Sequence, residues 1–197
     1  MRPEEVPVER LDPRFAPHLR EHEVDHLEHS LWPVYAMWPT SALAYFNPAY
    51  ARQAEPRWGL GALALDAAGV VRPKLVELHE EVIATGGPVT FRYECPTAES
   101  ARTFELRLLP LDGGRGLLAL HSLVVARPHE DPHFPDPAVY LTPQGMILQC
   151  AYCRRTRRAG GIDVWDVVGD YIARSPSNAT HGICPPCGAH YYPALRE

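Results

Sequence analysis

Two Cys-x-x-Cys pairs carry the plainest chemistry in this chain: Cys150 with Cys153, and Cys184 with Cys187. A soft cation with a tetrahedral preference takes four thiolates, and two-residue spacing lets each pair chelate from one tight turn. A closed four-sulfur set leaves no open coordination position. The pattern therefore predicts one structural Zn²⁺ per chain rather than a catalytic one. His181, three residues before Cys184, is an alternative ligand, although the expected role is a hydrogen bond to a bound thiolate. Cys184-Pro-Pro-Cys187 also has the form of a dithiol redox motif, but oxidoreductases place it ahead of a long βαβ body and here ten residues follow it. An alternative use of the same thiolates is a redox or metal sensor in which oxidation ejects the metal and unfolds the tail.

Three further sets bear on function. Arg154, Arg155, Arg157 and Arg158 form a basic knot just after the first pair. Such a knot can hold the phosphates of a nucleic acid or an acidic partner; the expectation is that it neutralises thiolates or pairs with acids of the preceding domain. His121 interrupts the apolar run Leu117–Val125 and is the first choice for a residue facing a small-molecule pocket, with Tyr93 and Tyr45 as companions. Cys95 falls on the apolar phase of its strand, which predicts a buried, inert thiol, and His79 beside Glu80 and Glu81 reads as an exposed edge. No nucleophile–base pair or open metal site can be argued, so no catalytic residue is assigned and no enzyme is expected.

The elements that must hold these groups follow from the patterning. The 197 residues are 46% apolar and 22% charged, ordinary for a globular chain, and the net charge of −5 argues against nucleic-acid binding over the whole surface. No apolar run reaches the roughly 20 residues of a membrane span, and Met1-Arg-Pro-Glu-Glu5 lacks a signal core, which predicts a cytoplasmic protein. Residues 1–20 read as an extended arm. His18–Leu31 reads as an amphipathic helix suited to homodimer contact. Trp32–Trp38 and Leu43–Phe46 read as a hairpin, after which Asn47-Pro48 caps a helix. Lys74–Thr85 carries Leu75, Leu78, Val82 and Ile83 on one face and stops at Gly86-Gly87. Period-two alternation then marks strands through Val89–Cys95 and Thr103–Leu108, and a third strand follows the Asp112–Gly116 turn. Residues 128–145 form a proline-rich linker, and Val164, Trp165, Val168, Tyr171 and Ile172 space as a helical stripe between the cysteine pairs.

This order, with Tyr45-Phe-Asn-Pro-Ala-Tyr50 entering the helices, resembles the PAS family over roughly residues 25–127. The tail is similar to one appended to bacterial PAS and response-regulator proteins, which reads C-x-x-C-K-x-I-R, then W, then Y-I, then S-H-G-I-C-P-x-C. Here Arg154 stands for the lysine, Thr156 for the apolar residue and Thr180 for the serine, and no presumed ligand changes. The resemblance implies an α+β fold in which a PAS-like domain (21–127), an antiparallel five-stranded sheet with helices on one face, precedes a zinc-ribbon-like module (146–197). It also implies sensing or scaffolding through a partner protein, and no reaction.

Overall fold

The computed structural model describes residues 1–161 and 163–193, with the side chains of residues 21, 22, 69 and 70 left undescribed. Residues 1–20 are not an extended arm. Two 3-10 turns, Pro3–Glu5 and Ala16–His18, fold them back so that Val6, Leu11, Phe15 and Leu19 enter the hydrophobic core. Four large apolar side chains offset the ordering entropy that would otherwise leave so proline-rich a segment loose. Leu11 lies antiparallel to Tyr45, Asp12 N–H donates to Ala44 O at 2.8 Å and Phe46 N–H donates to Arg10 O at 3.0 Å.

Helix α1 (Glu21–Glu28) is shorter than the amphipathic pattern suggests, and Leu31 beyond it is 79% exposed. Its apolar residues Val24 and Leu27 lie in the hydrophobic core. Strands β1 (Val34–Met37) and β2 (Leu43–Phe46) are buried almost throughout and form the expected hairpin, with Tyr35 opposite Phe46. Asn47 then caps α2 (Pro48–Gln53). Its Oδ1 accepts the N–H of Tyr50 at 2.9 Å and of Val34 at 3.0 Å, while Nδ2 donates to Leu27 O and Trp32 O, each at 3.0 Å. One fully buried amide thus joins α1, β1 and α2 with every polar atom satisfied.

A 3-10 segment (Ala64–Val71) leads into α3 (Arg72–Thr85), which ends where Gly86 takes φ +64°, the left-handed C-terminal stop read from the sequence. Strands β3 (Val89–Glu94), β4 (Ser100–Leu111) and β5 (Gly116–Pro128) follow. The result is an α+β fold with a five-stranded antiparallel sheet in the order β2-β1-β5-β4-β3, the arrangement of elements that the PAS resemblance implies. Gly116, at the start of β5, meets the core closely: a Cβ there would lie 2.6 Å from a Phe15 ring carbon. Gly116→Ala is expected to cost about 1–3 kcal/mol as overpacking. The check is a lower denaturant midpoint at unchanged m-value.

The chain divides into two compact units, one of residues 1–92 and 105–122, the other of 93–104 and 123–197. The second unit absorbs the proline-rich stretch, which is not a bare linker. It holds β6 (Pro132–His133) and α4 (Pro137–Tyr140), and the Tyr140 side chain is 2% exposed. Then come β7 (Ile147–Cys150), β8 (Thr156–Arg157), β9 (Trp165–Val168), α5 (Gly169–Ala173), β10 (Ala179–Gly182) and α6 (Pro185–Tyr191). A mixed sheet in the order β10-β7-β8-β9-β6 forms this unit's framework. The expected helical stripe is a strand followed by a short helix. Over so few residues the spacing fits either period, and Trp165, Val167 and Val168 favour the pleated one. Among the described residues no helix is long and apolar enough to cross a membrane.

Candidate metal centre

Register explains why cysteines thirty residues apart meet. Strands β7 and β10 run parallel with Gly182 opposite Cys150, so the turns that leave them emerge at the same end. The first turn closes as Cys150 N–H donates to Arg155 O at 2.7 Å and Arg154 N–H donates to Cys150 O at 3.1 Å. Arg154 takes φ +61° to do so, a conformation in which a side chain costs about 1 kcal/mol or more. In the second turn Cys184 caps α6 and Cys187 lies one turn in. Ala151 N–H donates to Gly182 O at 2.9 Å, and Cys184 N–H reaches the Cys150 sulfur at 3.4 Å, tying one turn to the other.

All four sulfurs are buried and lie within 4.8 Å of one another, with Cys153 Sγ and Cys184 Sγ 3.5 Å apart. A tetrahedral site with zinc–sulfur bonds of about 2.3 Å has sulfur–sulfur edges of about 3.8 Å. The donor set therefore fits a tetrahedral thiophilic cation. Four thiolates so close cannot all be charged alone: a hydrogen bond from Cys153 pulls the Cys150 thiol far below the ordinary range, and the same bond pushes Cys153 far above it. A dication removes that conflict, and its binding releases the remaining protons.

The supporting groups were not legible in advance. Gln149 is fully buried beside Cys150; its Nε2 donates to Arg154 O (3.1 Å) and Tyr171 O (2.9 Å), and its Oε1 accepts from Ser175 Oγ (2.8 Å). Ser175 in turn accepts from Arg154 Nη1 at 2.6 Å, so the strained turn is braced from two sides. Tyr152 stacks on Tyr191 with ring centroids 4.0 Å apart and shares a 2.6 Å hydrogen bond with the Tyr192 hydroxyl. The only sequence signal for Gln149 was a long amide inside a strand, with nothing to tell a brace from a surface residue.

The other predicted residues separate. His181 is exposed on β10, and the buried cluster consists of the cysteines without it. Tyr45 and His121 belong to the first unit and Tyr93 to the second. Tyr45 is fully buried and donates to Glu28 Oε1 at 2.8 Å, a structural rather than a ligand-facing use. Tyr93 stacks on Phe104 at 5.8 Å between centroids, and His121 lies 5.7 Å from the Tyr35 ring. Within the arginine knot, Arg158 clamps Asp166 through two bonds of 2.6 and 3.2 Å, and Tyr140 donates to the same carboxylate at 2.8 Å. Its acid partner thus comes from its own unit. Cys95 is exposed, against expectation, because β3 ends at Glu94 and the alternation lapses there. His79 is buried instead of exposed, and its Nε2 finds no hydrogen-bond partner among the described residues.

Burial lowers the His121 imidazole to about 4 from its ordinary 6.5. The unfolded chain takes up that proton near pH 6.5 and the folded chain only near 4. Stability is therefore lost as pH falls from about 6.5 to 4 and levels off below, by no more than about 3 kcal/mol. His121→Phe is expected to flatten that segment of a plot of unfolding free energy against pH; an unchanged slope would assign the loss to other groups.

No protein-family profile matches the chain, and no curated protein does. Among solved structures it is similar to the PAS domain of BvgS from Bordetella pertussis, with a TM-score of 0.42 and 14% identity, over 52% of this chain and 84% of that one.

Proposed function

We propose that this chain is a cytoplasmic, non-enzymatic sensory or scaffolding protein of PAS-like build that acts through a partner protein, its C-terminal unit held by one structural Zn²⁺. The observation that carries the metal reading is the buried set of four cysteine sulfurs within 4.8 Å of one another. Residues Cys150, Cys153, Cys184 and Cys187 would hold the ion, which supplies cross-linking charge rather than a reactive position. Full enclosure of the thiols favours this over a redox switch, since oxidation follows thiolate exposure. The β2-β1-β5-β4-β3 sheet supports the sensory half of the reading, with a small molecule or a second protein as its cue. With Val24 and Leu27 already in the core, a homodimer through α1 would have to use the exposed Leu31 end of that segment.

The test is elemental analysis of tag-free protein, paired with a count of titratable thiols before and after denaturation. About one zinc per chain with four protected thiols is the expected result, Cys95 alone reacting in the folded state. Absent metal with reactive thiols would move the redox reading forward, and iron would replace it with electron transfer or iron sensing.

A further inference from the structure

Beside the metal centre, wholly within the second unit, lies a hollow of about 270 Å³ lined by Glu94, Arg102, Arg127, His129, Cys153 and Arg155 among others. A second hollow of about 220 Å³ shares Arg127, His129 and Arg155 with it and adds Trp165. Three guanidinium groups from β4, β5 and the turn after Cys153 thus face the first hollow against a single carboxylate, that of Glu94.

Arg102 is engaged by Cys95 O and the Phe104 ring, and His129 by Thr97 O, but the other donors there are under-used. Arg155 is half-buried and its guanidinium makes no hydrogen bond or ion pair among the described residues, unlike those of Arg154 and Arg158. Among the described residues the Arg127 guanidinium reaches only Glu130, at 3.6 Å and at the surface. The Trp165 indole N–H is buried with no acceptor among the described residues. Leaving a buried donor unpaired costs about 1–3 kcal/mol, so an acceptor-rich guest is favoured. The acids of the second hollow do not compete equally, because Asp166 is already clamped by Arg158, and Glu130 and Asp131 extend into solvent.

We propose that these joined hollows bind a small oxyanion, the carboxylate or phosphate group of a small molecule, with Arg155 and Arg127 as its principal contacts. Guanidinium forks match both groups in charge and geometry. The volume suits a compact ligand rather than a polymer. This site stands apart from the partner-mediated reading above and holds whether or not that reading does.

The experiment is calorimetric titration of the zinc-loaded full chain at low ionic strength with inorganic phosphate and, separately, with succinate. One saturable site for at least one probe is expected, weakened at least tenfold by Arg155→Gln and by Arg127→Gln and unchanged by Arg57→Gln, an exposed arginine of the first unit. Saturation by phosphate alone identifies a phosphate-bearing ligand, and by succinate alone a carboxylate. Should Arg155→Gln lose its zinc, the surface variant Arg127→Gln decides. No saturation by either probe at 20 mM (about the weakest binding worth calling a site), or affinity unchanged in the variants, would overturn the proposal.

Discussion

Cys184→Ser is expected to strip the metal from the chain and to open the segment from residue 150 to 193 to proteases. The secondary structure there is too slight to stand alone: β8 has two residues, β7 and β10 four each, and α6 seven. Elements this short do not bury enough apolar surface to offset the entropy of ordering them. A bound cation would supply the missing stabilisation, since binding to four thiolates counts as folding free energy on the order of 10 kcal/mol in small zinc modules. Cys184 is fully buried, touches Cys153 through sulfur and reaches Cys150 through its backbone N–H. Serine fits the same space, but its protonated hydroxyl is a poor ligand for a thiophilic cation, and one of the four sulfur donors is lost. Zinc affinity should fall by more than the roughly 10–100-fold typical of lost supporting contacts. Zinc content and limited proteolysis read the result, and a variant that keeps one zinc and the parental cleavage pattern would refute the four-sulfur site.

Glu28→Ala is the second large effect, and it acts on the first unit. The Glu28 carboxylate, 5% exposed, receives both Arg10 Nη atoms at 2.8 and 2.7 Å and the Tyr45 hydroxyl at 2.8 Å. Removing it leaves a largely buried guanidinium with a 3.4 Å contact to Phe46 O but no counter-charge from Glu28, and a buried phenol without its carboxylate acceptor. Breaking a buried pair in this way costs about 3–5 kcal/mol, against about 1 kcal/mol for Tyr45→Phe, which deletes one hydrogen bond and strands no charge. Chemical denaturation of the two variants side by side should show that ordering. Equal losses would mean that the Tyr45 hydroxyl, and not the ion pair, carries the network.

What could be read from the sequence was whatever local chemistry fixes. Asn47-Pro48 and Gly86 declare helix ends through capping and a left-handed backbone, and Val89 onward declares strands by strict alternation. The paired cysteines declare a metal site because few other uses need that spacing. What stayed hidden depends on distant partners. Leu11, Phe15 and Leu19 are four residues apart, but Pro13 and Pro17 break any helix through them, so their shared burial with Val6 shows only once the 3-10 turns are in place. Tyr140 and Asp166 lie 26 residues apart and acquire meaning through one hydrogen bond. The same holds for Tyr45: an aromatic hydroxyl in an apolar strand looks like a pocket residue until Glu28 is seen beneath it.

The bonds that Asp12 and Phe46 make across Arg10–Asp12 also decide how this sheet can be approached from outside. A border strand is an invitation to any passing extended peptide, and β2, last in its order, would be one. Here the chain's own beginning has taken that seat. A protein that docks by donating a strand would have to evict residues 10–12, and also Gly61 and Ala62, which bond both backbone groups of Leu43, or go to β3 at the opposite end. A chain clipped after Asp12 would uncover Ala44–Phe46 of β2, ready to borrow the lost segment from a sister molecule or to stick to it, while Gly61 and Ala62 would still hold Leu43.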